Sequence, residues 1–296
     1  MTRLSSGLVA ILICLLATAA QAQQGSATTR PSTPPPNGST NSQTAPPSPL
    51  DLRAKATERV VDESVKDDPA VDALIAPYSA KVHELGTTIG KLAGQLKKAG
   101  MGGGSLGNFV ADALRDRAAA KLGKPVLLAI TNSGGLRKSE ITEGDISASD
   151  IFELLPFENA LVTVDLTGEQ LRRFLDLVVS RRDAQSGARI TYRTNDKKQS
   201  EIVSIKLGDK NETARDIDPK ATYTIVTIDY LVKRGGDYSF LQEAKNVRPL
   251  GLTMRDAVLE YVKAETAAGR AIKPKLDSRF RYDRNGSGKT EDEQPQ

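Results

Sequence analysis

Asn132-Ser133-Gly134-Gly135-Leu136-Arg137 follows a wholly apolar run, Val126 to Ile130, and joins three groups suited to a polar ligand. Glycines at a strand's carboxyl end let backbone amides approach closely, an amide side chain reads a base or sugar edge, and an Arg fork holds phosphate. A Gly-rich turn with a surface Arg is the other reading of this segment alone. The segment Asp229 to Tyr238 places Tyr230, the pair Gly235-Gly236 and Asp237 in one loop. A stacking face, close backbone approach and a carboxylate acceptor are what a nucleoside site needs. In Leu154-Leu155-Pro156-Phe157-Glu158-Asn159 an aromatic sits behind a proline, either as one face of a clamp for a flat ring or as core. Gln185-Ser186-Gly187 reads as a bulge or turn that offers backbone groups.

Other chemistry is scarce. The 296 residues include one His and one Cys. A dinuclear metal centre needs a cluster of ligands and a Ser-His-Asp or Cys-His arrangement needs its own imidazole, so such machinery is excluded or forced through His83. His83 lies between Val82 and Glu84 in a helical pattern, which favours a solvated or partly buried structural role. The formal charge of +4 is too dilute to mark a binder of nucleic acid polymers. Arg172-Arg173, Arg181-Arg182 and Lys197-Lys198 have acidic neighbours and read as a solvated face.

The elements that must position these loops are legible in the periodicity. Val71, Leu74, Ile75, Tyr78, Val82 and Leu85 recur at helical steps after Asp68-Pro69, giving an amphipathic helix with one wet face. A second helix opens near Ser105 after the flexible run Gly102-Gly103-Gly104, with Asn108 and Asp112 one turn apart on one side. Val126 to Ile130 fits a buried strand. Ala160 to Leu166 is a strand that stops at Thr167-Gly168, after which Leu171, Phe174, Leu175 and Val178 restore helical spacing. Ala188 to Thr194, Glu201 to Leu207 and Thr222 to Ile228 are further strands, with Gly208-Asp209 as a turn. The last helix runs from Met254 to about Ala267 with Thr253 as cap and Asp256 completing a capping box. Helices and strands alternate without a strict βαβ rhythm, so the expected class is α+β, a mixed sheet flanked by helices.

Residues 1–22 read as a secretory signal, with Arg3, the short apolar run Leu8 to Leu16 and the small-x-small site Ala20-Gln21-Ala22. Cys14 falls within that run and is expected to leave with it; a membrane anchor is the alternative. Residues 23–49 hold seven prolines, ten Ser or Thr and the single charge Arg30, which suits a disordered tether. Residues 50–280 form the folded domain and 281–296 a loose polar tail. The expected location is secreted or periplasmic, with no membrane span once the signal is removed.

Taken in order, these segments resemble the C-terminal domain of the 5′-nucleotidase family, over roughly Asp68 to Phe240. The resemblance rests on Leu106-Gly107-Asn108-Phe109-Val110-Ala111-Asp112-Ala113, Asn-x-Gly-Gly-x-Arg, Leu-Pro-Phe, Leu166-Thr167-Gly168 with Gln170-Leu171, Ser186-Gly187 and Gly-Gly-Asp. It implies that Phe157 and Tyr230 are two aromatic faces between which a base stacks. It further implies that Asn132 bonds the nucleoside, Arg137 holds phosphate or ribose, and Asp237 accepts the ribose hydroxyls. In such enzymes this domain captures the nucleotide and rotates to carry it to an N-terminal metallophosphatase domain holding two metal ions and an Asn-His pair.

The sequence departs from that pattern. No Asp-x-His, Gly-Asn-His or His-rich segment lies upstream of Asp68, so no cofactor is expected in this chain and divalent metals only on a partner. Lys97-Lys98 and a glycine run stand where an Arg-bearing segment is usual, one extra residue separates Tyr230 from the paired glycines, and Tyr238 stands where Gly is common. The leading expectation is the nucleotide-recognition domain of a split 5′-nucleotidase or UDP-sugar hydrolase, holding the nucleoside for a separately encoded metallophosphatase. The alternative is a stand-alone nucleotide- or nucleoside-binding protein. A self-sufficient enzyme using His83 or a carboxylate pair, and a domain kept for protein contacts, are the further classes.

Overall fold

The computed structural model describes residues 57–209 and 214–284. The signal and tether readings, residues 50–56 and the tail beyond Arg284 lie outside them. The chain divides into Met1–Ser64 and Val65–Gln296. In the first unit residues 57–64 are exposed, with Asp62 accepting from the Ser64 amide at 2.9 Å. The second unit carries the helices and strands.

Its elements in chain order are α1 (Pro69–Leu85), β1 (Thr88–Leu92), β2 (Leu96–Lys97), α2 (Gly104–Leu122), β3 (Ala129–Thr131), β4 (Glu140–Ile141), β5 (Gly144–Ser147), α3 (Ala148–Leu154) and β6 (Ala160–Thr167). They continue with α4 (Gly168–Arg181), β7 (Ala184–Ser186), β8 (Ala188–Thr194), β9 (Ser200–Leu207), β10 (Thr222–Ile228), α5 (Asp229–Lys233), β11 (Lys245–Thr253), α6 (Met254–Ala267) and β12 (Phe280–Tyr282). A five-stranded sheet runs β11-β6-β10-β3-β7, with β10 parallel to β3 and the other pairs antiparallel. A three-stranded sheet, β12-β8-β9, and the pairs β1-β5 and β2-β4 complete the architecture, which is the mixed sheet flanked by helices that the sequence predicts.

Local chemistry sets the element boundaries. Asp68 caps α1 by accepting from the Ala70 amide at 2.8 Å. Thr167 with Gln170, Ser147 with Asp150 and Thr253 with Asp256 form capping boxes for α4, α3 and α6, satisfying amides that a helix start leaves unbonded. In α4, Leu171, Phe174, Leu175, Val178 and Val179 are all buried, one stripe at three- and four-residue steps. Phe174 is fully buried, and truncating such a ring costs about 3–5 kcal/mol.

Several elements depart from the sequence reading. The strand expected over Val126 to Ile130 is β3, Ala129–Thr131, shorter and displaced toward the loop, and all three of its residues pair with Ala184–Ser186 of β7. The glycine run before α2 is a tight turn: a side chain on Gly104 would meet carbonyls of Lys97 and Ala99 at 2.7 Å, and one on Gly102 would strike the Phe280 ring. The apolar face of α1 is uncovered: Val71, Leu74, Ile75, Tyr78 and Val82 are all exposed. At the other end, Arg281 and Tyr282 belong to β12, which pairs in parallel with β8.

The motif Leu106 to Ala113 has a structural task. Asn108 donates to the Lys275 carbonyl at 2.8 Å, and Asp112 accepts two bonds from Arg279, at 2.7 and 3.1 Å. Arg279 is 8% exposed and also pairs with Asp277 at 2.7 Å and donates to the Gln185 carbonyl at 3.1 Å. Burial pulls its pKa down, but the two carboxylates outweigh that and the net direction is up. This clamp fixes the segment leading into β12.

Candidate functional site

Sheet topology brings the singled-out loops to one end. The parallel pairing of Val226 with Ala129 puts the exits of β3 and β10 side by side, and antiparallel β6 enters between β10 and β11 at that same end. Asn132 therefore follows β3, Phe157 precedes β6 and Tyr230 follows β10 at one edge of the sheet. Asp229 accepts from the Ala160 amide at 3.0 Å, which ties the start of β6 to the start of α5. The Thr131 pairing with Ala184 brings Asp183, just before β7, to the same edge.

Phe157 is 45% exposed and Tyr230 43%, so neither ring is core. The Arg137 guanidinium lies over the Phe157 ring, 5.8 Å from its centroid, and the Arg137 amide donates to the Leu154 carbonyl at 2.9 Å. Arg234 lies 5.7 Å from the Tyr230 centroid and 5.2 Å from that of Tyr238. Each exposed ring thus already carries a flat cation on a face, a contact that an aromatic base could share or replace. The Phe157 loop is held from behind by Arg255, which donates to the Leu155 carbonyl at 3.4 Å, pairs with Glu158 and lies 4.2 Å from the Phe152 centroid.

Asn132 folds its amide over the turn, 3.5–3.6 Å from where side chains on Gly134 and Gly135 would begin. Its Oδ1 is buried and has no hydrogen-bond partner among the described residues. Native proteins leave few buried polar atoms in that condition, and a ligand donor is one way to satisfy it.

Asp237 is exposed and paired with Arg181 from the end of α4. Arg181 also lies 5.4 Å from the Tyr238 centroid. The pair Arg181-Arg182, read from sequence as a solvated face, thus contributes Arg181 to the site. Sequence reasoning also missed Asp183, which is 3% exposed. It accepts from the Ser133 amide at 2.9 Å and from the Tyr238 hydroxyl at 2.9 Å. Burial raises the Asp183 carboxyl against the opposing pull of those donors and of Arg181, and burial beside Asp183 raises the Tyr238 hydroxyl. An acid directly after a basic pair and before a buried strand was the only signal for it.

Gln185-Ser186-Gly187 corrects an expectation. Gln185 and Ser186 are strand residues of β7, and the Gln185 side chain bonds the Ala188 carbonyl and amide at 2.8 and 2.9 Å. Gly187 has φ +114°, and a side chain there would run into the Leu127 carbonyl. Gly187 is the bend where the chain leaves β7 of the five-stranded sheet for β8 of the three-stranded one, and only glycine fits that approach. His83 is exposed on α1, its ring bonded to the Ser79 carbonyl at 3.0 Å.

The sequence profile of the 5′-nucleotidase C-terminal domain matches residues 85–243, more than half of the chain. The chain belongs to that family. The trifunctional nucleotide phosphoesterase protein YfkN of Bacillus subtilis is 27% identical over 233 residues, covering 75% of this chain and 16% of that protein. A 5′-nucleotidase of Vibrio vulnificus is 31% identical over 144 residues, 47% of this chain and 25% of its own. Among solved structures, a 5′-nucleotidase precursor from Thermus thermophilus superposes with a TM-score of 0.60 at 23% identity, covering 72% of this chain and 43% of that one, a likeness of fold. The chain spans well under half the length of the curated relatives it matches. Among the described residues no helix is long and apolar enough to cross a membrane.

Proposed function

We propose that this protein is the nucleotide-recognition domain of a split 5′-nucleotidase, which holds a nucleoside at the sheet edge while a separately encoded metallophosphatase hydrolyses the phosphoester. Phe157 and Tyr230 are the stacking faces, Asn132 bonds the base or sugar, Arg137 takes phosphate or ribose, and Asp237 accepts ribose hydroxyls. The observation that carries the reading is the unpartnered Asn132 Oδ1 in a turn at the same end of the sheet as two part-exposed aromatic rings. Membership of a family whose named relatives include nucleotide phosphoesterases and 5′-nucleotidases supports it.

Metal chemistry is assigned to the partner. Paired divalent ions would activate water and neutralise phosphoryl oxygens. Among the described residues no three His, Cys, Asp or Glu side chains gather where they could hold an ion. Export to the periplasm or exterior fits the signal-like first 22 residues.

The decisive experiment measures 5′-AMP hydrolysis with divalent metal by the purified protein alone, by a secreted metallophosphatase alone, and by the two mixed. Turnover stimulated only in the mixture, with nucleotide binding by this chain, is expected. Metal-dependent turnover by this chain alone, or no affinity for any 5′-nucleotide, overturns the reading.

A further inference from the structure

We propose that Asp183 is the positioning residue that holds the two halves of this site in register, one carboxylate oxygen anchoring the Asn132–Gly135 turn and the other the Gly235–Tyr238 loop. The inference rests on the nucleotide reading for its consequence, while the link between the loops stands on geometry alone.

Oδ1 accepts from the Ser133 amide at 2.9 Å and contacts the Ser133 hydroxyl at 3.4 Å, and Oδ2 accepts from the Tyr238 hydroxyl at 2.9 Å. The first bond falls one residue from Asn132 and the second one residue from Asp237. A single carboxylate therefore spans two loops separated by about a hundred residues of sequence, each carrying a candidate ligand group.

Both ends of the bridge are rigid. The Asp183 amide donates to the Val178 carbonyl at 2.8 Å, following Arg182 in the left-handed conformation, and the next residue enters β7. The Tyr238 ring is 1% exposed and meets Phe174 edge-on, 6.1 Å between centroids at 89°. The core thus aims the hydroxyl at Asp183. A buried carboxylate is costly unless its lone pairs are used, and here both oxygens are occupied by the two loops. The neighbouring charges include Arg181, whose field opposes the burial penalty, and Arg234, 5.2 Å from the Tyr238 ring centroid. Tyr238 stands where glycine is common in the resemblance, and a glycine there would have no hydroxyl to donate to Asp183.

The test uses the full chain with Tyr238→Phe, Asp183→Ala and Asp183→Asn. Phenylalanine keeps the ring against Phe174 and loses only the hydroxyl. Asparagine keeps the shape and offers an oxygen to Ser133 and an amide to Tyr238. Calorimetric titration with 5′-AMP and 5′-UMP should show affinity lower by about tenfold in Tyr238→Phe and Asp183→Ala, the order that one hydrogen bond to a charged group is worth, with Asp183→Asn retaining most of it. Wild-type affinity in folded Tyr238→Phe and Asp183→Ala overturns the positioning role.

Amide hydrogen exchange without ligand reads the bridge separately. Tyr238→Phe should speed exchange in residues 132–136, on the opposite loop. Unchanged protection there overturns the bridge even if nucleotides bind. Faster exchange in that variant, together with a wild type that binds no nucleotide, sinks the nucleotide reading and leaves the bridge standing.

Discussion

Arg181 and Asp237 form an ion pair across 56 residues of sequence, so the acid expected to receive ribose hydroxyls already has an intramolecular occupant. The pair is exposed, and exposed pairs are worth at most about 1 kcal/mol. A nucleoside must compete with that contact or share the carboxylate. Arg181→Gln should accordingly tighten adenosine binding by a few-fold, bounded by the roughly fivefold that 1 kcal/mol allows, and flatten its dependence on NaCl. Titrations at about 50 and 300 mM salt check this, a range over which screening changes strongly. Weaker adenosine binding in Arg181→Gln would instead make Arg181 a ligand contact.

The two exposed rings make a sharper test. Stacking a base on an aromatic side chain is worth about 1–3 kcal/mol by alanine substitution. Phe157→Ala and Tyr230→Ala should each lose that much nucleotide affinity. Because both side chains are well exposed, melting temperatures should barely move. Loss of affinity at one ring only would mean that the extra residue between Tyr230 and Gly235 has turned that ring out of the clamp.

Sequence periodicity located α4, β6, β10 and α6 because each obeys a local rule: a capping box, a buried stripe or a run of β-formers. It could not say what covers an apolar face, and α1 shows why. The spacing of Val71, Leu74, Ile75, Tyr78 and Val82 fixes a helix but not a neighbour, and all five are exposed. Likewise the motifs marked Asn132 and Asp237, while the groups that hold them in place, Asp183 and Arg181, became visible only once α4 was packed against β6, β9 and β10. In Gln185-Ser186-Gly187 the glycine does mark a bend, which also needs close approach to the Leu127 carbonyl, while Gln185 and Ser186 belong to β7, a strand too short to show a period.

The clamp on Arg279 should be separable from the site. Removing one partner of a buried ion pair costs about 3–5 kcal/mol because a charge is left uncompensated. Asp112→Ala leaves Arg279 with Asp277 and the Gln185 carbonyl, so a loss nearer the lower bound, about 3 kcal/mol, is expected. Urea denaturation measures it. Nucleotide affinity in the still-folded fraction should be unaffected, since the clamp fixes the segment entering β12. A variant as stable as the wild type would show that the clamp is dispensable.

Asp183 also predicts a pH dependence with a definite sign. Burial is the largest influence on its carboxyl and lifts the folded-state pKa above the ordinary aspartate value of about 3.9, with the Ser133 and Tyr238 donors and Arg181 opposing it. A raised folded pKa means that the protonated form suits the fold. The associated stability is complete below about pH 3.9 and is lost as pH climbs through the elevated value. Asparagine at this position does not titrate, so comparing Asp183→Asn with wild type removes the contribution of every other acid. The variant should gain on the wild type between about pH 4 and the raised value, after which the difference between the two should stay constant to about pH 8. Melting curves at half-unit intervals across that range resolve the trend. Wild type gaining on the variant over that interval would mean that the three favourable partners outweigh burial and that the carboxyl is depressed.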